Sequence, residues 1–494
     1  MPYTEFACRA SGSNLYAGTL TGGTTEVSTT PVVTYTAGSW VNATRVFTVA
    51  AGNPITDGVA VGDYCSVYAD GAAAPTGFVG KITARDATTI TVSATISSGT
   101  NPTDGAGNRT MVVGGAWLGP TGASGFPFNF ATGDLVTAAG RPVRINFKND
   151  QTYSITASIA ASRTGLLYYR GYTTTYGDTG RATIDGTSVG ASFTLLTATG
   201  IKTSYENFTF QNNGTTGQAS GLVVSQGGII FRKIYVTAVR GYGIQHTTGQ
   251  CEFIECEATA CNQSNTANLS GMHCSIGGTF TRCISHNNTG SNSNGFRMNG
   301  GSLNRCISDT NGNFGVQLAA SGTLASLHQC SIYGNTSDGV NLVSVDQGHY
   351  YFENCLFVAN GGYGVNQVSA VAANPGTIVM QSCGFQGNTT DKYNSNIVAE
   401  NVLNEVTISS NPFTDAPNGD FSLSLAAAMG TGRGAFMQQT GYTETSTAAP
   451  DLGAVQGQGG VTGTAEVDLK RLRREFADIE KRMRLLWLRQ RAIT

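Results

Sequence analysis

From Tyr205 to Asn411 the apolar and polar positions recur as one short phrase. An apolar residue is followed by two polar ones, then by a small or apolar residue at a position termed zero, one outward residue and a second apolar one. Position zero is Phe208, Ile234, Cys256, Cys283, Cys306, Cys330, Cys355, Cys383 and Val406, at steps of 26, 22, 27, 23, 24, 25, 28 and 23 residues. The apolar partner three places earlier is Tyr205, Phe231, Phe253, Phe280, Leu303, Leu327, Phe352, Met380 and Leu403. Near-constant steps of this kind arise where each repeat is one coil of a solenoid and insertions collect at its turns. An extended rung cannot bury its inner face alone, so consecutive rungs must stack.

In the stretch from Phe352 to Val368, alternation points Phe352, Cys355 and Phe357 inward and Leu356 outward. Asn stands five places after position zero at Asn213, Asn288, Asn311, Asn335, Asn360, Asn388 and Asn411. A short amide tolerates left-handed backbone, so these residues are expected to turn the chain. Stacked about 4.8 Å apart, Asn288, Asn311, Asn335, Asn360 and Asn388 would bond one to the next as a ladder. A Gly and a further strand follow each turn, as in Gly243-Ile244, Gly271-Met272, Gly295-Phe296 and Gly339-Val340. Two or three short strands per coil, with no helical periodicity between them, predict an all-β chain built on a single-stranded parallel β-helix.

Six consecutive rungs carry Cys at position zero: Cys256, Cys283, Cys306, Cys330, Cys355 and Cys383. They read as a core ladder of soft, small side chains. Eleven Cys is an odd number, and no disulfide framework is required. A metal reading of Cys251, Cys256, Cys261, His273 and Cys274 matches no zinc spacing, so no metal and no cofactor is expected.

Outside the repeat, residues 1–116 alternate in short strands between Gly, Asn and Asp turns and predict a small β module, a barrel or a sandwich. Residues 117–140 read as a linker, 141–456 as the solenoid and 457–463 as a Gly-rich linker. Residues 464–494 change period: Leu469, Leu472, Phe476, Ile479, Met483 and Leu486 fall on alternating steps of three and four, a helix with a coiled-coil seam. Large mixed residues at the a positions, without a dimer-specifying Asn, favour a homotrimer. The 65 Gly and 12% charged residues fit a turn-rich β protein, and a net charge of −2 excludes a strongly basic nucleic-acid binder. No run approaches a membrane span, and the opening residues lack a secretory pattern.

With these rungs in hand, the chain resembles the right-handed parallel β-helix proteins of the pectate-lyase-like superfamily, a group that includes phage tailspikes. The stretch Ala7 to Gly18 is similar to the opening of many of them; Asn411 to Ser424 and Pro450 to Gln456 are similar to their closing segments. The resemblance covers about Arg141 to Gln456 and implies a right-handed β-helix. It implies no single activity, because the superfamily holds lyases, hydrolases, adhesins and structural rods. Its enzymes set clusters of Asp, or Asp with Arg and Lys, on neighbouring outward positions.

The outward positions after the conserved-spacing Gly are Val223, Gln245, His273, Arg297, Gln317, Asn341 and Asn366, with no carboxylate among them. Inverting hydrolysis needs two carboxyl groups about 6.5–9.5 Å apart. Asp309 and Asp338, placed in turns, are the remaining acids to test. The amide-rich stripe Gln245, His273, Arg297, Gln317, Asn341 and Asn366 can serve as a glycan-binding face or only as a solvated sheet. The reading that follows is a structural, adhesive appendage: a virion-associated phage fibre or spike that binds surface polysaccharide, with partners in its own copies and in other virion or surface proteins. The alternatives are a polysaccharide lyase or hydrolase on the same scaffold, and a bacterial extracellular filament or surface protein.

Overall fold

The computed structural model describes residues 3–13, 28, 30–70, 79–93, 103–120, 127–128, 142–162, 165–186, 190–275, 277–319, 324–343, 349–368, 377–397 and 402–424. The seam residues Leu469, Leu472, Phe476, Ile479, Met483 and Leu486 lie outside them. The chain divides into two compact units, Met1–Gly301 with Thr310–Asn313, and Ser302–Asp309 with Phe314–Thr494.

Both units are built from coils of a parallel β-helix. Each coil contributes one strand to each of three parallel sheets, here called A, B and C. In the coil of Phe352 these are His349–Glu353, Leu356–Val358 and Tyr363–Gln367. What reads as one strand around position zero is therefore two. A single left-handed residue just before position zero splits them: Asn207, Lys233, Glu255, Arg282, Arg305, Gln329, Asn354 and Ser382 have φ between 52° and 59°. Non-glycine residues in this region cost about 1–2 kcal/mol each. The corner N–H offsets that cost by donating to the next coil, as from Glu255 to Thr281 O at 2.9 Å and from Gln329 to Glu353 O at 2.8 Å.

The second corner corrects an expectation. The left-handed residue is not the Asn but the one before it: Asn212, Ala238, Ala260, Asn287, Thr310 and Ala359, with Gly334 and Gly387 in the same place. The Asn itself turns its amide into the body of the coil, where Asn288, Asn311, Asn335 and Asn360 are at most 1% exposed. In unit 1, Asn288 Nδ2 donates to Asn311 Oδ1 at 2.7 Å. In unit 2, Asn335 Nδ2 donates to Asn360 Oδ1 and Asn360 Nδ2 to Asn388 Oδ1, both at 2.9 Å. Val239 and Cys261 occupy the Asn position in two coils of unit 1, and Asn288 Oδ1 takes the Cys261 N–H instead.

Position zero is buried from Phe208 to Cys383, as are its partners from Tyr205 to Met380. Tyr169, Tyr205, Phe231, Phe253 and Phe280 form a stacked column with centroids 4.4–5.2 Å apart. All eleven cysteines are free and buried. The thiol at position zero donates to the preceding coil's carbonyl, as from Cys283 to Phe253 O at 3.4 Å and from Cys355 to Leu327 O at 3.4 Å.

The last coil departs from the repeat. Gln381 pairs with Leu403 and Gly384 with Val406, a slip of one residue. Asn404 takes the left-handed corner, Glu405 takes position zero and bonds Lys392, and Leu403 is 44% exposed. The inward assignments of Leu403 and Val406 therefore fail, and Asn411 is exposed with its Oδ1 on the Phe413 N–H. Outward-pointing Leu356 is nonetheless fully buried, with Val358. Beside them the hairpin Phe413–Asp415 and Asp420–Leu423 lays Phe413 and Phe421 against Tyr333 of sheet B.

The N-terminal module is a closed barrel of Val33–Val41, Val46–Thr48, Thr89–Val92, Val79–Arg85, Tyr64–Ala69 and Gly105–Val113, filled by Tyr35, Trp40, Phe47, Ile82, Ile90 and Met111. Two boundaries differ from the sequence reading. Thr4–Cys8 pairs in parallel with Val143–Lys148 of sheet A, so it belongs to the solenoid. Within the expected linker 117–140, Trp117 and Phe128 are core: Phe128 stacks on Phe147 and Tyr169 at 5.0 and 4.8 Å.

Candidate functional site

The outward column of sheet C keeps the register expected of it. In unit 1, Val223 pairs with Gln245, Gln245 with His273 and His273 with Arg297; in unit 2, Gln317 pairs with Asn341 and Asn341 with Asn366. The two stretches differ in chemistry.

In unit 2 the amides are committed to their own neighbours. Asp338, 5% exposed, accepts from Asn341 Nδ2 at 3.2 Å and Asn366 Nδ2 at 2.8 Å through one oxygen, and from the Tyr363 N–H at 2.8 Å through the other. Asn366 Oδ1 takes Asn394 Nδ2 at 2.7 Å. Asp338 thus braces a corner, and Asp309 lies on sheet B. The two acids raised by the sequence are on different features and form no pair on sheet C.

In unit 1 the column carries a different constellation. The His273 ring stacks on Tyr242, centroids 5.1 Å apart and 29° between planes. Arg297 Nη1 donates to Tyr242 Oη and to Asn268 O, both at 2.9 Å, and Tyr242 Oη donates to Asn268 O at 3.2 Å. Asn299 Nδ2 faces His273 Nε2 at 3.2 Å, which leaves the ring proton on Nδ1. Gln245 Oε1 accepts from Ser220 Oγ at 2.9 Å. His273 Nδ1, Arg297 Nε and Asn299 Oδ1 are buried and make no hydrogen bond. The His246 backbone lies close enough to the ring to favour its charged form, a smaller effect than burial and the Arg297 charge. Native structures rarely leave buried polar atoms unpaired, so Arg297 Nε and Asn299 Oδ1 hold unused hydrogen-bonding capacity within this cluster.

Burial first, then the Arg297 charge, push His273 down to about 4, so the imidazole is neutral at neutral pH. A perturbed histidine beside a fixed guanidinium is the kind of pair found at reactive sites. Tyr242, Asn268 and Asn299 escaped the sequence reading because they flank the strand rather than lie on its outward column. The signal available was the aromatic Tyr242 immediately before the corner Gly243.

The structure also separates His273 from the cysteines grouped with it. Cys251, Cys256, Cys261 and Cys274 are buried on the inner side of the coil, whereas His273, adjacent to Cys274, alternates to the outer face. Among the described residues no group of three His, Cys, Asp or Glu is placed to hold a metal.

A second charged cluster, on the outer face of sheet A, is closed. Glu5 accepts from Arg144 at 2.9 Å and from Asn146 Nδ2 at 2.7 Å, and Asn146 Oδ1 accepts from Arg170 at 2.9 Å. Burial, then Arg144, lower Arg170 to about 10. Arg144 lies 3.7 Å over the Tyr3 ring.

No family model and no curated protein matches the sequence. Among solved structures, the chain is similar to pectate lyase Pel9A, at 16% identity over 69% of this chain and 96% of that one, with a TM-score of 0.49. It is similar to a rhamnogalacturonan lyase at 13% identity, 67% and 90% coverage and a TM-score of 0.44. The A-module of the Azotobacter vinelandii mannuronan C-5 epimerase AlgE4 aligns at 14% identity, 53% and 83% coverage and a TM-score of 0.38. The fold assignment rests on the three parallel sheets themselves.

Proposed function

We propose that the chain is a polysaccharide lyase, acting on an acidic polysaccharide laid along the outer face of sheet C in unit 1. The observation that carries this reading is the Tyr242–His273–Arg297 constellation, a neutral base and a fixed cation on one outward column with buried polar atoms unpaired. Elimination fits the column better than hydrolysis, because elimination needs a base and a positive charge and this column carries no carboxylate pair. Arg297 would pair with the carboxylate of a uronic residue and hold the charge that develops on it. The lone pair of His273 Nε2, faced by Asn299 Nδ2 at 3.2 Å until the bound sugar displaces that amide, takes the proton from the carbon next to that carboxylate. The released electron pair forms the new carbon–carbon double bond as the bond to the leaving glycosidic oxygen breaks, and that oxygen takes the Tyr242 hydroxyl proton. Incubation of the full chain with polygalacturonate and with alginate should release unsaturated ends, detected by their ultraviolet absorbance. Intact chain length on both, with no absorbance gained, would refute the activity.

A second reading keeps the binding and drops the cleavage: a trimeric, virion-associated or cell-surface appendage that adheres to polysaccharide. The heptad seam from Leu469 to Leu486 and the self-bonded amides of unit 2 favour it. Retention of polysaccharide without cleavage, together with a trimer by light scattering that a version ending at Gly460 loses, would establish it over the lyase.

A further inference from the structure

We propose that the His273–Arg297 pair takes up an anionic sugar group together with a proton, so that acidic chains bind more tightly as pH falls while their cleavage slows. This rests on the reading of the sheet C face given above and adds to it a control by pH.

The geometry carries the argument. His273 and Arg297 are register partners on adjacent parallel strands, a spacing of about 4.8 Å. Tyr242 fixes both, by stacking on the ring and by accepting from the guanidinium. The groups facing the ring from each packed element are Gln245 from the preceding strand, Arg297 from the following one, Tyr242 from the corner, Asn299 beyond the following strand and His246 from the same sheet. Two of these carry or can carry positive charge, and none is a carboxylate. The imidazole is thus held neutral by burial and by the Arg297 charge, with no carboxylate among the described groups that act on it.

An anion seated at Arg297 reverses the second of these causes. It screens the guanidinium and attracts a charged imidazolium, so the ring's proton affinity rises on binding. Linkage is reciprocal: a ligand that raises proton affinity binds more tightly where the proton is available. The window runs from the ring's free value of about 4 upward toward the liganded one. Within it, affinity gains up to about tenfold per pH unit, the limit for one proton. The same proton occupies the nitrogen that must act as base, so turnover falls as binding strengthens. Carboxylate and sulfate substituents share the required chemistry, and they differ in that sulfate stays charged throughout the window.

Isothermal titration of the full chain with D-glucuronate, and in a parallel arm with inorganic sulfate, tests the proposal across about pH 4 to 7, the span between the shifted and ordinary histidine values. Each titration is repeated in buffers of different ionisation enthalpy. The expected result is proton uptake, read as an enthalpy that depends on the buffer, and a Kd that falls with pH. Response in the sulfate arm as well as the glucuronate arm assigns a general oxyanion site; response to glucuronate alone assigns a carboxylate site. His273→Gln should still bind with the pH dependence lost, while Arg297→Gln should lose binding. Binding by the wild-type chain with no buffer dependence and a flat Kd would overturn the inference and leave the sheet C reading standing. No binding of either anion, or of polygalacturonate, at any pH would overturn both.

Discussion

His273 pairs in register with Arg297, and Tyr242 ties the two together by stacking on the ring at 5.1 Å and accepting from the guanidinium at 2.9 Å. The outer face of sheet C therefore carries a distinct Tyr–His–Arg cluster in unit 1 rather than a uniform polar stripe. Replacing His273 with Ala should lower release of unsaturated ends by about 10²–10⁴-fold, the range of a lost general base. Arg297→Lys should retain less activity than its charge implies, because Lys cannot reproduce the contacts to Tyr242 Oη and Asn268 O together with a free Nε. Unchanged thermal melts in both variants, with rates measured on the same preparations, separate chemistry from folding. Wild-type rates in His273→Ala would remove His273 from the mechanism.

Asp178 makes acid stability the next test. Burial pushes its carboxyl up, but hydrogen bonds from the N–H groups of Thr174, Thr173, Gly180 and Thr175 outweigh this and bring it down to about 2. A carboxyl with a lowered folded value stabilises above its unfolded value of about 3.9 and loses that contribution as pH falls toward 2. The difference in melting temperature between wild type and Asp178→Asn should therefore be largest near neutral pH and shrink below about pH 4. A difference that stays constant down to pH 2 would contradict the role given to the carboxylate.

Asn360 is the middle of a three-amide ladder. Its Oδ1 accepts from Asn335 Nδ2 at 2.9 Å and from the Asn335 N–H at 3.2 Å, and its Nδ2 donates to Asn388 Oδ1. Asn360→Ala takes the side-chain acceptor from the buried Asn335 N–H and the side-chain donor from Ile332 O, at about 1–3 kcal/mol for each orphan, while Asn388 Oδ1 keeps the backbone N–H of residue 360. Urea unfolding should show a loss of about 2–5 kcal/mol, more than the truncation of a surface Asn. Asn411, exposed and outside the ladder, serves as the comparison; Asn411→Ala gives up one bond to the Phe413 N–H and should cost about 0.5–1.5 kcal/mol.

These contrasts show where the sequence was legible. Period and burial were readable from Phe208 to Cys383 because stacking forces each coil to repeat its inner positions. The final coil was not, because Leu403 and Val406 are apolar on either side of a one-residue slip, and the pattern alone does not reveal which register the corner chooses. The second corner was placed one residue late, since Ala260 and Ala359 have no intrinsic preference for left-handed backbone and adopt it through bonds to the next coil; the first corner, at Lys233, Glu255 and Arg282, went unread for the same reason. The outward column was read correctly in register, yet its chemistry lies partly in Tyr242 and Asn299, which only the folded corners bring beside it.

Cys330 tests the inner ladder. Its thiol is fully buried, burial pushes it well above the usual thiol range, and it donates to Leu303 O at 3.5 Å. Cys330→Ser keeps a donor for that carbonyl and should cost about 1 kcal/mol; Cys330→Asp buries a group with no cationic partner at position zero and should unfold unit 2. Circular dichroism melts distinguish the two, and a wild-type melt for Cys330→Asp would place position zero at the surface.

Leu356 and Val358 point away from the coil interior and are still 0% exposed, so something outside sheet B must cover them. Phe413 and Phe421 contact each other at 5.1 Å and Tyr333, the register partner of Val358, at 5.9 and 5.8 Å, which places the hairpin over that face. Burying two aliphatic and two aromatic side chains contributes about 1.5–3 kcal/mol each before the cost of ordering the hairpin. Phe421→Ala should therefore destabilise by about 3–5 kcal/mol and raise binding of a hydrophobic dye at temperatures below the main transition. If the hairpin only decorated the surface, Phe421→Ala would melt like the wild type and bind no extra dye.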